Sequence, residues 1–215
     1  IIDCMMNIPL LYWASEITDD ERFKYIAMSH ADKVIDNFIR ADGSVSHIVK
    51  FNPTNGEFIK SIAGQGYADD SSWSRGQAWA INGFSQSYIA TGEKRYLDAA
   101  KRVANYFIAA CVDDALPRCD FRQPSDVVAY DSSAAAIASV GLINISNACE
   151  GAEKEMYLSA ALRFLKTLDE RCCPWENEND EAILNYGMER FNSGHRALIY
   201  GDYYFLEAIL KLKNM

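Results

Sequence analysis

Arg75 and Trp79 stand four residues apart in the stretch Ser74-Arg75-Gly76-Gln77-Ala78-Trp79. On a helix that spacing puts both side chains on one face. A guanidinium matches a carboxylate through two parallel hydrogen bonds, and an indole offers a flat apolar surface to a sugar ring. One helix start would then present an anion clamp beside a stacking platform. The same spacing also suits a buried tryptophan whose neighbouring arginine pairs a loop aspartate, and spacing alone does not separate the two. A second chemical signal is Asp3, in a run over residues 1–16 that is otherwise apolar apart from Asn7 and Glu16. An acid in such surroundings is costly unless paired or functional, and a carboxyl of this kind suits a general acid. A helix cap or a bond to backbone explains it equally.

The elements that must position these residues are helical. Pro9 either starts a helix or kinks one. An amphipathic stretch follows over about 20–40, and further helices are expected over about 74–91, 93–112, 131–149, 152–171 and 201–213. Ser71, Ser72 or Ser74 is the expected N-cap of the helix at 74–91, and Thr91-Gly92 its expected end. Residues 43–73 read instead as a short β-hairpin or ordered loop around Asn52-Pro53-Thr54-Asn55-Gly56. Phe23, Tyr96 and Tyr157 each have an alanine four residues on, early in a charged helix that follows a less charged one. Alternation of this kind predicts an inner and an outer layer. At about 60–70 residues per helix pair plus loop, the period exceeds that of ordinary solenoids. An α/α toroid is the expected fold.

Composition narrows the function classes. The formal net charge of −9 and the lack of a basic cluster argue against nucleic-acid binding. An acidic surface also repels a polyanion at long range, so an acidic ligand must be met by a local basic pocket. No apolar run reaches membrane-spanning length. His30, His47 and His195 do not pair at ligand spacing, so no metal site is expected. No Gly-rich phosphate loop or Gly-x-Ser-x-Gly elbow occurs, so neither a nucleotide cofactor nor a serine triad is expected. The six cysteines have no zinc spacing and read as reduced core thiols. They point to a reducing, cytoplasmic compartment rather than a periplasmic one. The opening Ile-Ile-Asp-Cys-Met-Met reads as part of a longer chain.

Four stretches, IIDCMMNIPLLYWAS, GQGYADDSSWSRGQAWAINGF, DSSAAAIAS and LIYGDYYFLEAIL, resemble the unsaturated glucuronyl hydrolases of glycoside hydrolase family 88. The resemblance runs over essentially the whole chain and implies an (α/α)6 barrel. It implies action on an unsaturated uronyl oligosaccharide, the product of a polysaccharide lyase, by hydration of the 4,5 double bond. Asp3 matches the acid that protonates C4 and then serves as base for water. His47 matches an imidazole facing the sugar, Gln65 a contact to a ring hydroxyl or carboxylate, Arg75 the ligand of the substrate carboxylate, and Trp79 a stacking residue. Trp73 lies nearby and reads as packing. Asp131 and Asp202 begin helices and read as structural. Ser193, His195 and Arg196 fall where the family recognises the next sugar and any sulfate on it; a solvated loop is the other reading.

The related family 105, the unsaturated rhamnogalacturonyl hydrolases, has Arg-Gly-Asn-Gly-Trp where this chain has Arg75-Gly76-Gln77-Ala78-Trp79. A third reading is a non-catalytic sugar-binding or structural fragment. It arises because the family's second essential aspartate lies upstream of the Asp3 motif and has no match in these residues. Residues 1–215 are thus expected to form one domain, the C-terminal part of the barrel, with about seven to eight helices. Its open edge would be covered by the rest of a barrel or by another copy, as a homo-oligomer. Activity of this chain alone is expected to be impaired.

Overall fold

The computed structural model describes all 215 residues. A 3-10 turn, Ile2–Met6, precedes α1 (Pro9–Thr18) and α2 (Glu21–Phe38). Then come the hairpin strands β1 (Ile48–Phe51) and β2 (Phe58–Ile62), paired antiparallel. The remaining helices are α3 (Ser74–Thr91), α4 (Lys94–Ala110), α5 (Ser132–Asn147), α6 (Gly151–Arg171) and α7 (Ile199–Lys213). The expected spans and the hairpin are present, with α7 starting two residues early.

Local chemistry explains the boundaries. Pro9 opens α1, where its missing N–H has no role to fill. Asp20 caps α2 by accepting from the Arg22 N–H at 3.0 Å, and Asp131 caps α5 by accepting from the Ser133 N–H at 3.2 Å. The expectation for α3 is corrected. Its N-cap is Trp73, and no side chain caps it. The three serine hydroxyls are engaged elsewhere: Ser71 donates to Asp120 at 2.6 Å, Ser72 to Gln77 at 3.3 Å, and Ser74 to the Cys119 carbonyl at 3.0 Å.

The helices form two layers, as in an α/α toroid. The inner row runs α1–α3–α5–α7, each packed on the next, and α2, α4 and α6 each lie outside the helix that precedes them. α5 is buried along nearly its whole length and opens Ser-Ser-Ala-Ala-Ala, so its neighbours approach closely. The repeated alanines Ala27, Ala100 and Ala161 are fully buried. Two of the repeated aromatics tie successive outer helices together. The Tyr96 hydroxyl donates to the Met28 carbonyl of α2 at 3.2 Å, and that of Tyr157 to Asn105 of α4 at 3.1 Å.

The row does not close. α1 and α7 border a groove of about 980 Å³ whose lining also includes Gln86 and Ile89 of α3 and Asn144 of α5. Along it α1 exposes Trp13 (58%), and α7 exposes Tyr203 (60%). At the other extreme, the starts of α3, α5 and α7 and the loops before them are drawn together by long-range polar contacts. No helix is long and apolar enough to cross a membrane.

Candidate active site

The Ile2 N–H donates to the His47 carbonyl at 2.9 Å, which pins the first turn to the residue before β1. That turn buries Ile2 and Met5, three residues apart, and directs Asp3 between them outward. Asp3 therefore does not lie in fully apolar surroundings, as its sequence context suggested; its side chain is 36% exposed. Its Oδ2 lies 3.3 Å from Nε2 of His47, whose side chain is almost wholly buried. The pair is close, but its geometry falls short of a hydrogen bond, and neither atom has another protein partner. His47 Nδ1 accepts from the Gln65 backbone N–H at 2.9 Å, with the Ala63 carbonyl 3.1 Å away. A backbone N–H is a fixed donor, so Nδ1 carries the lone pair and the neutral ring is protonated at Nε2, toward Asp3. The Trp73 ring lies 4.2 Å from the imidazole. Gly64 leaves room for this ring: it has φ +61°, and a Cβ there would meet His47 Cε1 at 2.7 Å.

Arg75 lies beneath the same tryptophan, its guanidinium 4.5 Å from the Trp73 ring and 5.2 Å from that of Tyr200. It is 2% exposed. Its donors reach the Asp131 carboxylate, the Met188 carbonyl at 2.7 Å, Ser133 Oγ at 3.3 Å and the Glu189 carbonyl. Asp131, fully buried, also accepts from Ser133 Oγ at 2.5 Å and from the Met188 N–H at 3.3 Å. Arg75 pairs an aspartate, Asp131, but the buried tryptophan beside it is Trp73 and not Trp79, so neither reading of the Arg75–Trp79 spacing holds in full. Trp79, one turn on, is half-buried and packs edge-on to Tyr204 at 5.4 Å, with Tyr200 at 6.3 Å. Burial pushes the Tyr200 hydroxyl pKa up, and the Arg75 charge offsets part of that rise.

Gln65 joins this centre to the loop before α7. Its Nε2 donates to the Glu189 carbonyl at 2.6 Å, and its carbonyl accepts from the Phe191 N–H at 2.8 Å. Asp3, His47, Gln65, Arg75 and Trp79 are thus linked into one continuous row. Ser193, His195 and Arg196 lie further out along the loop. Ser193 Oγ accepts from the Arg190 N–H at 3.3 Å, and exposed Arg196 sits 3.8 Å from the Glu189 carboxylate. His195 accepts from the Tyr130 N–H at 3.1 Å and stacks on that residue's ring. Asp202 accepts from the Leu184 N–H at 2.8 Å, a structural contact as expected.

Two participants carried no usable sequence signal. Tyr200 lies one residue before the expected start of the last helix and draws no reading of its own. Asp120 lies in a loop with prolines at 117 and 124, yet it is fully buried and accepts from four donors of two segments.

No family model matches the chain. Curated relatives do. The unsaturated glucuronyl hydrolase of Bacillus sp. (strain GL1) is 36% identical over 220 residues, covering 100% of this chain and 58% of the relative. The unsaturated chondroitin disaccharide hydrolase of Streptococcus agalactiae serotype III (strain NEM316) is 34% identical, covering 98% of this chain and 54% of that protein. The solved structure of unsaturated glucuronyl hydrolase from Bacillus sp. GL1 superposes with a TM-score of 0.95 at 35% identity, over 99% of this chain and 58% of that one. An unsaturated glucuronyl hydrolase mutant from Streptococcus agalactiae, complexed with dGlcA-GalNAc6S, superposes with a TM-score of 0.84 at 32% identity, over 99% of this chain and 58% of that one. In sequence and in backbone the chain is similar to the unsaturated glucuronyl hydrolases, of whose length it spans a little more than half.

Proposed function

We propose that this chain carries part of a glycosidase site that removes a 4,5-unsaturated uronic acid from the non-reducing end of an oligosaccharide. The observation that carries this reading is the Asp3–His47 pair, 3.3 Å apart, with two polar atoms that no other protein group engages. In the reaction, the electrons of the C4–C5 double bond take a proton from the Asp3 carboxyl. The positive charge left at C5 is shared with the ring oxygen. Water adds to C5 and returns a proton to the Asp3 carboxylate. The resulting hemiketal opens, and the sugar linked at C1 leaves. His47, protonated at Nε2, steadies the carboxylate between the two transfers. The two-carboxylate geometry of ordinary glycosidases does not apply to an addition at C5. Gln65, Arg75 and Trp79 form the wall of the uronyl site, with Ser193, His195 and Arg196 toward the next sugar. Because the guanidinium of Arg75 already holds four acceptors and its charge is balanced by buried Asp131, it serves that wall by holding the loop before α7 in place.

The relatives' names favour a glucuronyl over a rhamnogalacturonyl substrate. A thermal-shift titration tests the reading. An unsaturated chondroitin disaccharide is expected to raise Tm, and its saturated counterpart to do so less. Equal shifts from the two would contradict it.

Three further points belong to this reading. The 215 residues act as a single domain. The seam between α1 and α7 is closed by more of a toroid or by a second copy of this chain, so molar mass in solution should rise with concentration if a copy supplies it. The six free cysteines support a reducing, cytoplasmic setting.

A further inference from the structure

Asp120 is fully buried and forms no ion pair with a basic side chain, yet both its oxygens are saturated. Oδ2 accepts from the Tyr67 N–H at 2.9 Å and from Ser71 Oγ at 2.6 Å. Oδ1 accepts from the Ser72 N–H at 3.1 Å and from its own loop at the Arg122 N–H, 2.9 Å. Three of the four donors belong to the segment that follows Gln65. A carboxylate is the side chain of this size that offers four acceptor positions and no hydrogen. Gly66 fits the same arrangement, since a Cβ there would stand 2.8 Å from Asp120 Oδ2.

The segment held this way carries the Gln65 N–H to His47 Nδ1. Nδ1 sits between that donor and the Ala63 carbonyl, an acceptor at 3.1 Å. Which of the two it engages decides the tautomer. Bonded to the Gln65 N–H, the ring keeps its proton on Nε2, facing Asp3. Bonded to the Ala63 carbonyl, it carries the proton on Nδ1 and turns a bare Nε2 toward Asp3. The imidazole alone does not distinguish these states; the position of the Gln65 N–H does.

We propose that Asp120 is a positioning residue that fixes the His47 tautomer, by anchoring residues 67–72 and so holding the Gln65 N–H on Nδ1. Asp120 touches neither His47 nor Asp3 and acts through the loop alone. The proposal rests on the Asp3–His47 reading for its chemical consequence. Its test needs no substrate, so its failure and a failure of the proposed reaction are read separately.

Nitrogen-15 spectra of the imidazoles of the 215-residue chain provide that test, with His47 assigned by its loss in His47→Gln. The expected pattern is a bare Nδ1 and a protonated Nε2. Asp120→Asn preserves the volume but turns an NH2 toward two donors whichever way the amide lies. The His47 signals are then expected to converge, as the two tautomers mix. Ser71→Ala removes one of Asp120's four donors, together with the acceptor of the Ala68 N–H, and is expected to move the same signals less; it stands in, read against Asp202→Asn, if Asp120→Asn does not fold. Asp202→Asn, which loses an anchor at Leu184, is expected to leave them in place. An unchanged His47 pattern in Asp120→Asn or, where that variant does not fold, in Ser71→Ala would overturn the proposal. So would an equal shift in Asp202→Asn.

Discussion

Two pairs of groups lie against Trp73, and they are finished differently. In one, Arg75 and Asp131 are both buried, and every neighbour completes them: Ser133, Met188 and Glu189 supply the remaining bonds. In the other, Asp3 is partly open, His47 is closed in, and the two facing atoms have no further partner. A saturated buried pair cannot exchange a proton without losing several bonds at once, so it serves to hold the loop before α7 against α3 and α5. An incompletely paired carboxyl at the edge of solvent can give a proton and take it back. The contrast separates the residues that build the site from those that would react in it.

Breaking the first pair should have the largest effect on stability. Arg75→Ala leaves Asp131 buried without its cation, an arrangement expected to cost about 3–5 kcal/mol, read as a lower denaturant midpoint at unchanged slope. Next comes the aromatic packing between the outer helices α4 and α6 and the loop at Phe121. Phe107 meets Phe121 and Phe164 edge-on at 5.2 and 5.4 Å, and Phe107→Ala should cost about 3–4 kcal/mol by the same measurement. Ser133→Ala sharpens the comparison. It removes one of several donors to Asp131 and should cost about 1 kcal/mol. Asp3→Asn should leave stability within about 0.5 kcal/mol of the parent, since its Oδ2 holds no hydrogen bond to lose.

The smallest effect is expected at an ion pair far from both. Asp20, partly exposed beside exposed Arg22, is held at a pKa of about 2 by its hydrogen bonds to that residue, 2.6 Å away. A depressed carboxylate of this kind stabilises above the ordinary Asp range, and the benefit fades as pH falls toward 2. Arg22→Ala should return the Asp20 titration toward the usual value and leave Tm almost unmoved.

Much of the fold was legible because helices declare themselves locally. Proline at position 9, glycine at 92 and the charged faces of α2, α4 and α6 mark boundaries and layers within a few residues. The N-cap of α3 was not legible. Its three serines answer to Asp120, Gln77 and Cys119, and two of those come from a loop more than forty residues away. Arg75 posed the same difficulty. Its spacing to Trp79 is a property of one helix, whereas its partner Asp131 lies 56 residues on. Asp120 could not be found by pattern, because a carboxylate among backbone donors has no signature beyond its own letter. The resemblance named Asp3 and His47, but their proximity depends on the hydrogen bond from Ile2 to the His47 carbonyl.

The central claim is that Asp3 supplies the proton. Its most direct test is the absorbance of the conjugated uronyl double bond, followed with an unsaturated chondroitin disaccharide and the 215-residue chain beside its Asp3→Asn variant. The predicted result is decay with the parent, slowed by about 10²–10⁴-fold in the variant. Equal decay with both proteins, or none with the parent at any concentration, would contradict it.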